Sequence, residues 1–179
     1  MREEQDYMQA CGRFLNDPYV TIEPWSDRIN HLRIIILGKK GTPYEGGRFI
    51  FEVFLTSYYP AEYPFVYCHT MIWHPNINLI LKPPKSNICF PRINSQITEV
   101  EEGQETPVRV YETWDIKGWT SACYLMHLVE AIKNLIHLVK SYWNPIDGLN
   151  SEAVEQATNA PEKFKKQAKE WTKKYAMEN

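Results

Sequence analysis

RFIFEVFL, residues 48–55, places Phe49, Phe51, Val53 and Leu55 on one face and lets Arg48, Ile50, Glu52 and Phe54 fall on the other. A period of two sustained over eight residues predicts a β-strand with one buried side. Upstream, HLRIIILG (31–38) sets Leu32, Ile34 and Ile36 against Arg33, Ile35 and Leu37, and predicts a second strand. The stretch between them, 38–47, is rich in turn formers. A first strand is expected at 19–25. A short fourth is expected at 65–69, after TSYYPAEYP breaks the pattern. These connections are too short for crossover helices, so the four strands should run antiparallel as a meander.

Helical spacing appears outside this block. REEQDYMQACGRFL predicts a first helix with Tyr7, Met8, Cys11, Phe14 and Leu15 on one face. Asn16-Asp17-Pro18 stops it, because the residue before a proline resists the helical region. Near the C-terminus, Leu125, Leu128, Val129, Ile132, Leu135, Ile136 and Val139 form a strong apolar stripe, with Thr120 or Ser121 expected as its cap. Asn150 is expected to cap a short helix. Asn159-Ala160-Pro161-Glu162 opens a last one, whose face carries Phe164, Ala168, Trp171 and Tyr175. Between 71 and 118 neither period is sustained. Long irregular stretches inside a domain are usually functional or disordered. Helix, strands, long loop, helices is an α+β order.

The totals narrow the function. The chain has 179 residues, 44% of them hydrophobic, which predicts one domain over 1–179 with a sizeable core. A net charge of −2 gives no electrostatic case for nucleic acid or an anionic membrane. No apolar run approaches the roughly 20 residues that span a bilayer. The N-terminal MREEQDYMQAC carries acids and no apolar core of a signal peptide. A cytoplasmic or nuclear location is therefore expected, with reduced thiols.

Cys11, Cys68, Cys89 and Cys123 lie far apart. Three of them fall within periodic elements, where a cysteine is usually a small buried hydrophobe. Cys89 falls in the irregular stretch MIWHPNINLILKPPKSNICFPRI (71–93), where functional groups concentrate. It is a candidate nucleophile. His74 could serve it as a base. Yet Pro75 follows His74 and holds it in a turn, which favours a bracing role. A zinc site from Cys68, His69, His74 and Cys89 would use suitable ligand types, but the paired spacing of such sites is missing. Asn76 and Asp147, taken singly, read as turn residues.

Taken together, YYPAEYPFVYCHTMIWHPNI, NICF, GWTSACYLMHLVEAIKNL and NPIDGLNSEA resemble the ubiquitin-conjugating enzymes. The resemblance also takes in GTPYEGGRFIFEVFL and runs from the first helix to the last. It implies the fold of that family: an N-terminal helix, a four-stranded antiparallel meander, a long active-site loop and C-terminal helices. It implies that Cys89 accepts ubiquitin or a ubiquitin-like modifier from an activating enzyme as a thioester. A lysine amine of a protein substrate then attacks that thioester, usually with a ligase present. Asn76 would donate its side-chain amide either to the oxyanion or to the loop that shapes the site. Asp147 would orient the lysine and help deprotonate it. No cofactor is implied for this chain, since ATP is used by the activating enzyme. The alternative is an inactive variant of the same fold acting as a noncovalent binding module or scaffold.

The residue types suit that chemistry. With a cysteine pKa of about 8.5, roughly a tenth of the thiol is ionised near neutrality, enough to exchange with an activated thioester. The lysine is harder. Its pKa of about 10.4 must fall to about 7, which takes about 4–5 kcal/mol of desolvation of the charged form. A carboxylate alone would stabilise the cation, so Asp147 suits alignment and proton acceptance in a partly dry groove.

The sequence also departs from the family pattern. Thirteen positions separate Asn76 from Cys89 and thirty separate Cys89 from Trp119, both longer than is common. The first insertion either bulges out or displaces Asn76. The second, at about 93–118, carries Glu99, Glu101, Glu102, Glu105, Glu112 and Asp115. These carboxylates make it either a solvated loop or an acidic lid that attracts a basic surface. Ala61, Ser121 and the acidic start of the first helix (Glu3, Glu4, Asp6) differ from the usual partner-binding residues and imply a divergent set of partners. The lysines of the last helix read as a solvated face.

Overall fold

In the computed structural model of the protein, the residues described are 2–78, 80, 87–90, 119–138 and 148–177. Helix α1 (Arg2–Phe14) leads into β1 (Val20–Pro24), β2 (His31–Leu37), β3 (Arg48–Phe54) and β4 (Phe65–Cys68). Helices α2 (Leu125–Ile136), α3 (Ser151–Asn159) and α4 (Pro161–Tyr175) follow. The strands form one antiparallel sheet in sequence order. The four strands thus lie within a residue or two of the expected ranges.

The register explains the core. Ile34 faces Phe51, Ile36 faces Phe49, and Phe51 in turn faces Cys68. β-branched and aromatic side chains fit such a pleated, half-buried surface. Leu32, Ile34, Ile36, Phe49, Phe51 and Val53 are wholly buried on that side. α2 covers them, burying its Leu125, Leu128, Val129, Ile132, Leu135 and Ile136. α1 packs on α2 and β1, while α3 packs on α4.

Three local expectations are corrected. First, the buried face of α1 is Asp6, Ala10 and Phe14, whereas Met8 and Leu15 are exposed. Tyr59 explains this. Its hydroxyl donates to Asp6 Oδ2 at 2.6 Å, and Arg2 lies 4.0 Å from the same oxygen. A carboxylate partnered in this way can be buried. Asp6 is therefore removed from the acidic surface of α1, which leaves Glu3 and Glu4. Second, α2 starts at Leu125, with Tyr124 as its N-cap. The Tyr124 N–H donates to His127 Nδ1 at 2.8 Å. Thr120 instead organises the preceding turn, its hydroxyl accepting from Ala122 N–H at 3.3 Å. Third, the face of α4 adds Thr172 to the expected Phe164, Ala168 and Trp171, and Tyr175 is exposed.

Other terminal signals hold. Asn150 Oδ1 accepts from Ala153 N–H at 3.2 Å and caps α3, and Pro161 sits in the first turn of α4. No helix among the described residues is long and apolar enough to cross a membrane.

Candidate active site around Cys89

After β4 the chain runs through Ile72 and Trp73 to the turn His74-Pro75-Asn76. Each part of this stretch is held from outside. Trp73 packs against Trp171 of α4 with ring centroids 5.2 Å apart, and its Nε1 donates to Gln156 of α3 at 3.1 Å. The Trp73 carbonyl accepts the Tyr44 hydroxyl at 2.7 Å. Tyr44 comes from the turn between β2 and β3, which closes tightly enough that a side chain on Gly38 would collide with the Tyr44 carbonyl. Hence Gly38 is required by contact.

His74 is wholly buried and stacks on Tyr44 with 5.8 Å between centroids. Its Nδ1 accepts the Asn76 N–H at 3.0 Å. Its Nε2 lies 3.2 Å from the Leu135 carbonyl of α2, so Nε2 carries the hydrogen and donates. Burial pushes the imidazole pKa down to about 3. Both nitrogens are thus occupied in a neutral ring. In this arrangement His74 braces the turn against α2 and has no lone pair left to serve a thiol as base.

The turn and the cysteine meet across a short ladder. Cys89 N–H donates to the Asn76 carbonyl at 2.9 Å, and Asn78 N–H donates to the Asn87 carbonyl at 2.8 Å. Ile77 and Ile88 form the antiparallel bridge between these bonds. Thirteen positions of sequence are closed to hydrogen-bond distance, so the longer spacing does not separate the backbones of Asn76 and Cys89. The turn is also tied to the segment before α3: Asn150 N–H donates to Pro75 O at 3.0 Å, and Asn78 Nδ2 to Leu149 O at 3.3 Å. Asp147 and the acidic insertion at 93–118 lie outside the described residues.

The four thiols have different surroundings. Cys68 and Cys123 are buried in the core. Burial pushes the Cys68 thiol up to about 12, and its sulfur sits 3.4 Å from the Thr70 carbonyl. That group is inert at neutral pH. Cys11 is only partly covered on α1, and Cys89 is half-buried and not in a disulfide. Asn76 is wholly buried. Among the described residues no group of three His, Cys, Asp or Glu side chains is placed to hold a metal ion.

Two neighbouring loops form a unit with α1. Trp119 Nε1 donates to Pro60 O at 2.9 Å, and the Arg2 guanidinium donates to Ser121 O at 3.0 Å. Together with the Asp6–Tyr59 bond, these fix the 58–63 and 119–122 loops against the first helix. Sequence reasoning missed this unit, and it missed Asn78 and Asn87. The latter are recognisable only as two asparagines that bracket the first insertion.

The model of the ubiquitin-conjugating enzyme family matches residues 4–172. Ubiquitin-conjugating enzyme E2 13 of Saccharomyces cerevisiae is 28% identical over 171 residues, which cover 94% of this chain and 92% of that one. Among solved structures, the E2 domain of a Toxoplasma gondii ubiquitin-conjugating enzyme superposes with a TM-score of 0.69. Its identity is 22%, and the match covers 98% of this chain and 99% of that chain. The fold is therefore shared, with its N-terminal helix, antiparallel meander and C-terminal helices, and the chain belongs to the ubiquitin-conjugating enzyme family.

Proposed function

We propose that this chain is an active conjugating enzyme, with Cys89 as the residue that carries the modifier. The observation that supports this most is the 2.9 Å bond from Cys89 N–H to the Asn76 carbonyl, which keeps the backbone of the half-buried Cys89 beside the His-Pro-Asn turn despite the insertion. In the first step Cys89 Sγ attacks the thioester carbonyl of ubiquitin, or of a ubiquitin-like modifier, held on an activating enzyme. The activating enzyme's thiol leaves, and the acyl group now sits on Cys89. In the second step a neutral lysine amine of a protein substrate attacks that carbonyl, an amide forms, and the Cys89 thiol is released while the amine loses its proton. A ligase supplies the substrate. ATP is spent by the activating enzyme, so this chain needs no cofactor of its own.

The burial of Asn76 supports the loop-shaping half of its expected role in the resting protein. His74, neutral and engaged at both nitrogens, supports a reaction in which the thioester's own activation, and no dedicated base, drives loading. Asp147 is proposed to align the incoming lysine. The hydrogen bonds that join Pro75 to Asn150 and Asn78 to Leu149 hold residues 149 and 150 beside the turn, which supports this reading.

The test is a gel run without reductant after incubation with activating enzyme, ATP and modifier. The wild type should give an adduct that thiol reagents remove and that C89A does not form. If a panel of modifiers yields no adduct while partners still bind, the chain is a binding module on this fold.

A further inference from the structure

We propose that Asn87 is a positioning residue for the Cys89 reaction: its side-chain amide stands in for the peptide group of a neighbouring strand and sets where the thiol is presented. This rests on the reading of Cys89 given above. Asn87 is wholly buried. Its Oδ1 accepts the Cys68 N–H at 2.8 Å, and its Nδ2 donates to the Cys68 carbonyl at 3.0 Å. Engaging both main-chain groups of one residue is what an antiparallel strand partner does. Cys68 is the last residue of β4 and is paired with Phe51 of β3, so the anchor belongs to the sheet itself.

The main chain of Asn87 faces the other way. Its carbonyl accepts the Asn78 N–H at 2.8 Å, Ile88 bridges Ile77, and Cys89 N–H then reaches the Asn76 carbonyl. One residue therefore couples the sheet, through its side chain, to the His-Pro-Asn turn, through its backbone. It stands two positions before the thiol. A longer connection costs more entropy to close, which makes an anchor at its end more valuable here than in a chain with a short connection.

The chemistry singles out asparagine. An amide offers one acceptor and one donor at the spacing that the Cys68 peptide groups require. A carboxylate would turn an oxygen toward the Cys68 carbonyl. Alanine would leave both groups without these bonds at a buried position, where an unmade bond is costly.

The experiment uses N87D and N87A in the full chain. Amide hydrogen exchange is followed at Asn78 and Cys89, with Ile34 and Phe51 in β2 and β3 as fold controls. Transfer of the modifier from Cys89 is followed across pH. In both variants exchange at Asn78 and Cys89 should rise by at least about tenfold while the strand amides hold. Transfer by N87A should slow by about 10²-fold, the scale expected for a small misplacement of a reacting group, with KM for the acceptor lysine unchanged. The deficit of N87D, taken against wild type at each pH, should narrow from about pH 8 to about pH 6, because protonating the introduced carboxyl restores a donor to Cys68. A merely structural role would loosen the strands as well, raising exchange at Ile34 and Phe51 together with Asn78 and Cys89.

Unchanged exchange at Asn78 and Cys89, or faster exchange with wild-type transfer, overturns the proposal. If the wild type takes up no modifier, the reading of Cys89 fails separately. Asn87 is then judged by exchange and by the alkylation of Cys89 with iodoacetamide. That rate should rise in N87A in step with exchange, and a constant rate overturns the proposal.

Discussion

His74 shows how much one side chain can be read from its neighbours. Pro75 pointed to a brace, and both imidazole nitrogens are bonded within the fold. The pH consequence has a definite sign. The folded pKa of about 3 lies below the ordinary 6.5, so below pH 6.5 the unfolded chain binds a proton that the folded chain refuses. This stabilising term is whole above that value and is lost as pH falls toward 3. At about 1.4 kcal/mol per pH unit, the loss reaches about 2 kcal/mol by about pH 5. Burial lowers His127 and His137 as well, so they add to the slope in the same direction. Urea unfolding of H74Q should show a lower stability near neutrality but a shallower decline between about pH 6.5 and about pH 5. Parallel curves would remove His74 as the main cause. Asn76 is the second test at this scale. N76A should load Cys89 at the wild-type rate but discharge to lysine about 10²-fold more slowly. Equal discharge would take Asn76 out of the mechanism. The turn that holds Asn76 was legible through its motif. Asn87 was not, because no periodicity reveals that a loop side chain will pair with the backbone of a residue nineteen positions earlier.

Among the elements, strands were the easiest to read and helix faces the hardest. Alternation in 48–54 reports burial directly, since each residue of a strand faces one side or the other, while in 31–37 Ile35 on the opposite face is buried as well. α1 misled because its buried face includes Asp6, whose partner Tyr59 is fifty-three residues away. Counting apolar residues favours Met8 and Leu15, which are exposed. The start of α2 misled for a similar reason: Thr120 has the chemistry of a cap but already serves a turn, and His127 satisfies the end of the helix. The Asp6–Tyr59 bond gives the test at this scale. Y59F leaves a buried carboxylate without its hydroxyl donor, with Arg2 only partly compensating. The loss should be about 1.5–3 kcal/mol, lowering Tm by roughly 3–10 °C. Y58F, altering an exposed hydroxyl next in sequence, serves as control and should melt with the wild type. Equal melting of both variants would deny the bond a structural role.

At the scale of the whole molecule, the sheet and α2 form a base against which the irregular residues 71–78 are held. Four elements fix that stretch: Tyr44 from the turn between β2 and β3, Leu135 from α2, Gln156 from α3 and Trp171 from α4. The sequence announced the stretch through its missing period, and the order of motifs around it announced the family. It did not disclose how the first insertion is closed, because that closure depends on tertiary hydrogen bonds between segments with no pattern of their own. The central claim is that this base presents Cys89 for acyl transfer. The most direct measurement is the intact mass of the full chain after incubation with activating enzyme, ATP and modifier. The account predicts a gain of one modifier less one water, reversed by added thiol and absent in C89A. An unchanged mass with every modifier tried, or a gain that persists in C89A, would contradict it.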